Sequence, residues 1–170
     1  KTLTVTGITA NSRVYDATTD AHDQLNTASA ALSGVVNGDS VALSVAGING
    51  TFATKTIGSN KTITITGITI SGTDADNYSL TQPSTSASIT AKTLTVSGIV
   101  ANDKVYNGNT VALLDTTNAA FVGIQSNDSV SIDLTSIVGT FANANVNTGI
   151  GVSITGISAT GTDASNYVIT

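Results

Sequence analysis

Apolar and polar residues alternate with period two along several short runs. Thr2-Leu3-Thr4-Val5-Thr6, Ser40-Val41-Ala42-Leu43-Ser44, Thr62-Ile63-Thr64-Ile65-Thr66 and Ser129-Val130-Ser131-Ile132 all show it. Threonine or serine on one face and mainly branched aliphatics on the other predict half-buried antiparallel strands. At four glycines the apolar parity flips: Leu3 and Val5 are odd but Ile8 is even, and Ile63 and Ile65 are odd but Ile68 is even. A regular strand would turn Ile8 into water, so a bulge or a crossing between sheets is expected at Gly7, Gly67, Gly98 and Gly156. Asn37-Gly38, within Val35–Val41, predicts a type I′ hairpin turn, with Ser126-Asn127-Asp128 a weaker copy and Gly58-Ser59-Asn60 a further turn. The best helix candidate is Gln24 to Leu32, which lacks an amphipathic stripe. The expected fold is all-β, an antiparallel β-sandwich of about seven short strands in each of two repeats. The alternative is a β-grasp-like sheet with one short helix.

The repeats are visible directly. Lys1-Thr-Leu-Thr-Val-Thr-Gly-Ile returns as Lys92-Thr-Leu-Thr-Val-Ser-Gly-Ile, and Arg13-Val-Tyr-Asp as Lys104-Val-Tyr-Asn. Gly50-Thr-Phe-Ala returns as Gly139-Thr-Phe-Ala, and Gly72-Thr-Asp-Ala-Asp-Asn-Tyr as Gly161-Thr-Asp-Ala-Ser-Asn-Tyr. The offset is 91 residues at first and 89 from Asp39/Asp128 onward, so two residues are missing between Tyr106 and Asp128. This period matches one small domain, which gives repeats at 1–91 and 92–170. Ser86 to Ser97 holds no Gly or Pro, so the last strand of repeat one is expected to run into the first strand of repeat two as a stiff, elongated join. The chain reads as a fragment of something longer, and repeat two is expected to lack a counterpart of Gln82 to Thr90, leaving an open edge.

Composition reinforces the β reading. There is no Glu, no Cys, no Trp and no Met, charged residues make up 10%, and the net charge is −5. The six Lys and Arg are scattered, which argues against nucleic acid, whose phosphates require clustered cations. No run approaches the roughly 18 apolar residues of a membrane-spanning helix, so membrane insertion is not expected. Without Cys there are no disulfides, no thiol chemistry and no Cys-ligated zinc.

Candidate chemistry is sparse. His22 is the single histidine and has no counterpart in repeat two, where Val111 to Leu114 occupies its region. No Gly-x-Ser-x-Gly elbow is present, no second histidine completes a triad, and no carboxylate pair recurs in both copies. An enzyme is not expected, and no catalytic residue or cofactor is assigned. Asp74, Asp76 and Asn77 alternate oxygen donors as a calcium turn would, although no Glu closes a cage. The competing reading is an Asx-type turn. Lys1/Lys92 and Asn77/Asn166 recur, inviting a Lys–Asn crosslink, but that reaction ordinarily uses a buried Glu. Tyr15, Tyr78, Tyr106 and Tyr167 recur pairwise, and core or corner roles are expected for them. Phe52 and Phe141 are expected in the core.

Five motifs in one order carry a family resemblance: Lys-Thr-Leu-Thr-Val-Thr-Gly, Val-Tyr-Asp, Gly-Asp-Ser-Val, Gly-Thr-Asp-Ala-Asp-Asn-Tyr and Ala-Ser-Ile-Thr. Together they resemble the YDG-type repeat, found in tandem in large secreted bacterial adhesins similar to filamentous haemagglutinins. The triplet is imperfect in both copies: Tyr15-Asp16-Ala17 lacks the glycine and Tyr106-Asn107-Gly108 lacks the aspartate. The resemblance implies a secreted, cell-surface stalk or spacer for adhesion or biofilm formation, monomeric, with neighbouring repeats as its partners. The alternative is a repeat module that binds host or matrix glycan or protein directly, using repetition for avidity.

Overall fold

Eleven short strands carry residues 1–91 in the computed structural model, which describes all of residues 1–170. In order they are β1 (Thr2–Thr6), β2 (Thr9–Ala10), β3 (Arg13–Val14), β4 (Leu25–Asn26), β5 (Ala31–Ser33) and β6 (Ala42–Ser44). There follow β7 (Asn49–Phe52), β8 (Gly58–Thr66), β9 (Thr69–Ser71), β10 (Ser79–Thr81) and β11 (Ser84–Thr90). Residues 92–170 carry β12 (Lys92–Ser97), β13 (Val100–Ala101), β14 (Val111–Ala112), β15 (Leu114–Asp115) and β16 (Ala120–Val122). The remainder are β17 (Ser131–Asp133), β18 (Val138–Phe141), β19 (Val152–Thr155), β20 (Ser158–Thr160) and β21 (Tyr167–Ile169). The protein is all-β; its only helical pieces are three-residue 3₁₀ turns. Contacts divide the chain into two units, Lys1–Ala91 and Lys92–Thr170.

Alternation places the core. β1 buries Leu3 and Val5, and β8 buries Ile63 and Ile65, while the threonines between them face water. Tyr15, Ala21, Phe52, Ile68, Ala87 and Ile89 complete the interior of unit 1. Most ladders are antiparallel, but β1 runs parallel to β10 and β11 parallel to β3. In unit 2, β12 is likewise parallel to β21. These parallel pairs bring the beginning and end of each repeat into one sheet.

At each of the four predicted glycines the chain changes sheet. β1 pairs with β10 and β5, but β2, just past Gly7, pairs with β4. β8 pairs with β7 and β11, whereas β9, past Gly67, pairs with β6. Gly98 separates β12 from β13, and Gly156 separates β19 from β20, in the same way. The four glycines have φ of +79°, +79°, +78° and +80°. That left-handed step turns the next aliphatic inward: Ile68 is buried, and Ile8, Ile99 and Ile157 are half-buried.

Three local expectations need correction. Gln24 to Leu32 is no helix: a 3₁₀ turn, His22–Gln24, leads into β4, and β5 begins at Ala31. There Asn26 Oδ1 accepts the Ala28 N–H at 3.0 Å, an Asx contact that competes with helical bonding. Val35 to Val41 is no hairpin either. Its turn is closed by Asp39 N–H to the Val36 carbonyl at 3.1 Å, but β5 and β6 belong to different sheets. Only Gly38 takes positive φ there, and Asn127 takes the same role in unit 2. Gly58 to Asn60 is the start of β8, where Asn60 at φ +50° accompanies a register shift opposite Ala87–Ile89. The two residues lost from repeat two are also located. Three residues, the 3₁₀ turn, separate Ala21 from Leu25, whereas Leu113 alone separates Ala112 from Leu114.

Candidate functional site

Two recurring devices in both units tie polar side chains to nearby backbone and to one another. The first surrounds the Tyr-Asp/Asn triplet. Asp16 Oδ1 accepts the Thr18 N–H at 2.9 Å, and Asn107 Oδ1 accepts the Asn109 N–H at 3.2 Å. Either side chain supplies that carbonyl-type oxygen, so the Asp-to-Asn change leaves the turn intact. The third residue is left-handed in both copies, Ala17 at φ +65° and Gly108 at φ +76°. A cation seals each loop. Arg13 donates from Nη1 to Asp16 at 2.7 Å, Thr18 Oγ1 at 3.2 Å and the Asp20 carbonyl at 2.5 Å, and from Nη2 to the Thr18 carbonyl at 2.5 Å. Lys104 Nζ donates to the corresponding acceptors: Asn107 Oδ1 at 3.0 Å, the Asn109 carbonyl at 2.6 Å and the Val111 carbonyl at 3.1 Å. The cations lie over phenyl rings, Arg13 at 5.0 Å from the Phe52 centroid and Lys104 at 5.5 Å from Phe141. Because Ala17 sits where glycine is strain-free, Ala17→Gly is expected to stabilise unit 1 by about 1 kcal/mol, read as a raised urea midpoint.

The second device clamps the turn between the two halves of each unit. The Tyr78 hydroxyl donates to Asp39 at 2.6 Å and accepts the Val36 N–H at 2.9 Å. Tyr167 does the same with Asp128 at 2.7 Å and the Gln125 N–H at 2.9 Å. The preceding aspartates finish the clamp: Asp74 accepts the Ser40 N–H at 2.9 Å, and Asp163 accepts the Ser129 N–H at 3.0 Å. The Tyr78 pKa is raised, first by its hydrogen bond to the Asp39 carboxylate and then by desolvation. The fold therefore favours the neutral phenol. Its contribution is complete below the unfolded value and is lost as the pH climbs past about 10. An alkaline melting series should show that loss, and Tyr78→Phe should remove this part of the pH dependence. Elsewhere, Asp115 is held below the ordinary carboxylate value by the Thr117 hydroxyl and amide, another Asx-type contact.

The calcium candidates Asp74, Asp76 and Asn77 lie in and beside one 3₁₀ turn. Asp74 is occupied by Ser40 and the Thr73 hydroxyl, Asp76 is exposed, and Asn77 ends a 3₁₀ turn. No group of three or more His, Cys, Asp or Glu side chains is placed to hold a metal. His22 is exposed, its Nδ1 3.0 Å from the Ile48 carbonyl. Of the pair for which core or corner roles are expected, Tyr15 is buried but Tyr106 is exposed, so a core place holds for Tyr15 alone. The physical reason is that β11 covers Tyr15, whose N–H donates to the Thr90 carbonyl at 2.9 Å, and no strand occupies that place in unit 2. Asp39, Asp128, Arg13 and Lys104 emerge only from the structure as the partners on which the devices depend. Their signal was recurrence in both copies.

The YDG domain family model matches residues 1–87 and again residues 90–170. The chain belongs to the YDG domain family. No curated protein and no solved structure shows a match to it. In this YDG pair the triplet is a loop-forming element: tyrosine, an Asx oxygen and a left-handed third residue, tied down by the cation two residues before the tyrosine.

Proposed function

We propose that the two YDG domains are structural repeats from the stalk of a secreted bacterial cell-surface adhesin, spacing a distal binding region from the cell for adhesion or biofilm formation. The observation that carries this reading is what the duplication keeps. Both copies retain the tyrosine–aspartate clamp, the cation-sealed loop and the sheet-changing glycines. Each is a device for holding a backbone, and His22, the most versatile side chain for acid–base chemistry, occurs in one copy only. A single residue, Ala91, separates β11 from β12, so little chain is available for a flexible linker. On this reading the chain contributes span and does not turn over a substrate.

The test grafts the chain between a bacterial surface anchor and a receptor-binding domain. Receptor capture in the presence of long surface polysaccharide should be restored by these repeats, and equally by unrelated β-modules of the same length. Capture that requires this sequence specifically, or binding of glycan by the isolated chain, would replace the spacer with a direct binding role.

A further inference from the structure

We propose that Asn107-Gly108 is a self-modification site, at which the folded loop speeds conversion of Asn107 to aspartate and isoaspartate with water as the only co-reactant. The chain holds three Asn-Gly steps: Asn37-Gly38, Asn49-Gly50 and Asn107-Gly108. A glycine after asparagine leaves its amide nitrogen unshielded by a Cβ, so that nitrogen can reach the side-chain carbonyl carbon. The fold treats the three steps differently. Asn49-Gly50 lies inside β7, where Gly50 is buried and its carbonyl accepts the Ala21 N–H at 2.9 Å, so the backbone is held extended. Asn37-Gly38 is an exposed turn, but the amide two residues on, Asp39 N–H, donates to the Val36 carbonyl at 3.1 Å and not to the Asn37 side chain.

At Asn107 the side-chain carbonyl is activated. Its Oδ1 accepts from Lys104 Nζ at 3.0 Å and from the Asn109 N–H at 3.2 Å. Both donors draw electron density from Cγ, and one of them is a full positive charge. They stand where negative charge gathers on Oδ1 as a nucleophile adds to Cγ, which is the arrangement of an oxyanion hole. Lys104 is fixed there by its bonds to Asn109 Oδ1 at 2.8 Å, the Asn109 carbonyl at 2.6 Å and the Val111 carbonyl at 3.1 Å. No backbone carbonyl accepts the Gly108 N–H. The Gly108 nitrogen bonds to Cγ, the Cγ–Nδ2 bond breaks, and the side-chain nitrogen leaves as ammonia with the Gly108 proton. Water then opens the five-membered imide. Addition at Cγ restores the ordinary backbone and leaves aspartate; addition at the Asn107 backbone carbonyl leaves isoaspartate, with the chain running through Cγ.

Unit 1 displays the aspartate product. Asp16 accepts the Thr18 N–H at 2.9 Å with Oδ1 and Arg13 at 2.7 Å with Oδ2, the counterparts of the two contacts made by Asn107. Its side chain is 41% exposed although β11 pairs with β3 beside this loop, so water reaches the position with that strand in place. Conversion to aspartate therefore completes the Tyr-Asp-Gly triplet in repeat two and turns a neutral contact of Lys104 into an ion pair like that of Arg13 and Asp16. Isoaspartate instead lengthens the backbone by a methylene and sets its carboxylate on Cα, which breaks the Asx contact and loosens the loop.

The test holds the full 170-residue chain at neutral pH over weeks and maps its peptides by mass spectrometry, with fragmentation that places each exchange of NH for O. In the folded chain Asn107 should convert at least about fivefold faster than Asn37, the effect of one net hydrogen bond gained by the developing oxyanion, and Asn49 should stay asparagine. In urea the three steps should converge, with Asn107 slower than in the folded chain. Lys104→Met should bring Asn107 down towards the rate of Asn37 in the same molecule. Because that variant also loosens the loop, the comparison of the unaltered chain folded and in urea is decisive. Conversion of Asn107 no faster folded than in urea, or no faster than that of Asn37, would overturn the proposal, as would an unchanged rate in Lys104→Met.

Discussion

Gly67→Ala should cost unit 1 roughly 4 kcal/mol, enough to unfold a marginal β-module at ordinary temperature. Two penalties combine. The residue holds φ +79°, where an L side chain pays about 1–2 kcal/mol. Its new Cβ would also fall 1.9 Å from the Gly47 carbonyl oxygen and 2.8 Å from that carbonyl carbon, both backbone atoms that cannot rotate away. Relief requires moving β8 or the segment before β7, and β8 carries Ile63 and Ile65, two of the fully buried residues. Gly38→Ala separates the two penalties. Gly38 also has positive φ, +98°, but a Cβ added there meets nothing within 4 Å, so only the conformational cost of about 1 to 2 kcal/mol should appear. Urea unfolding of both variants reads the difference directly. Equal losses would mean that the close approach at Gly67 relaxes freely.

The strand faces and the sheet changes were legible because both depend on local pattern. Alternation in Thr2–Thr6 and Thr62–Thr66 names the buried residues, and a parity flip at glycine has few physical causes. The turn between Val35 and Val41 was not legible as a sheet-to-sheet connection. Asn37-Gly38 favours a tight turn whichever strands flank it, and pairing partners are chosen by distant residues. Here the Tyr78–Asp39 bond, which spans 39 residues of sequence, ties that turn to a distant part of the unit. The exposure of Tyr106 was hidden for a related reason. A tyrosine in a repeated motif is buried only if its cover is present; that cover is β11 for Tyr15, and residues 92–170 place no strand over Tyr106. The 3₁₀ turn at His22–Gln24 leaves no trace in the sequence because a three-residue element has no periodicity to detect.

The loop of the namesake triplet gives the second large effect. Arg13→Ala should destabilise unit 1 by about 3 kcal/mol. The side chain is only 10% exposed, so its methylenes are packed as well as its charge paired. Removing it releases Asp16, strips donors from the Thr18 and Asp20 carbonyls, and uncovers the Phe52 ring. Arg13→Lys should cost less than half as much. Lys104 shows that an ammonium reaches the three equivalent acceptors and still lies over a phenyl ring, at 5.5 Å. An ammonium also has no Nε, the one buried polar atom of Arg13 left without a hydrogen-bond partner. Melting curves for the two variants, with amide exchange over residues 14–20, make the comparison. If lysine proves as damaging as alanine, the planar fork of arginine is indispensable in unit 1, and the two loops are not interchangeable despite their shared acceptors.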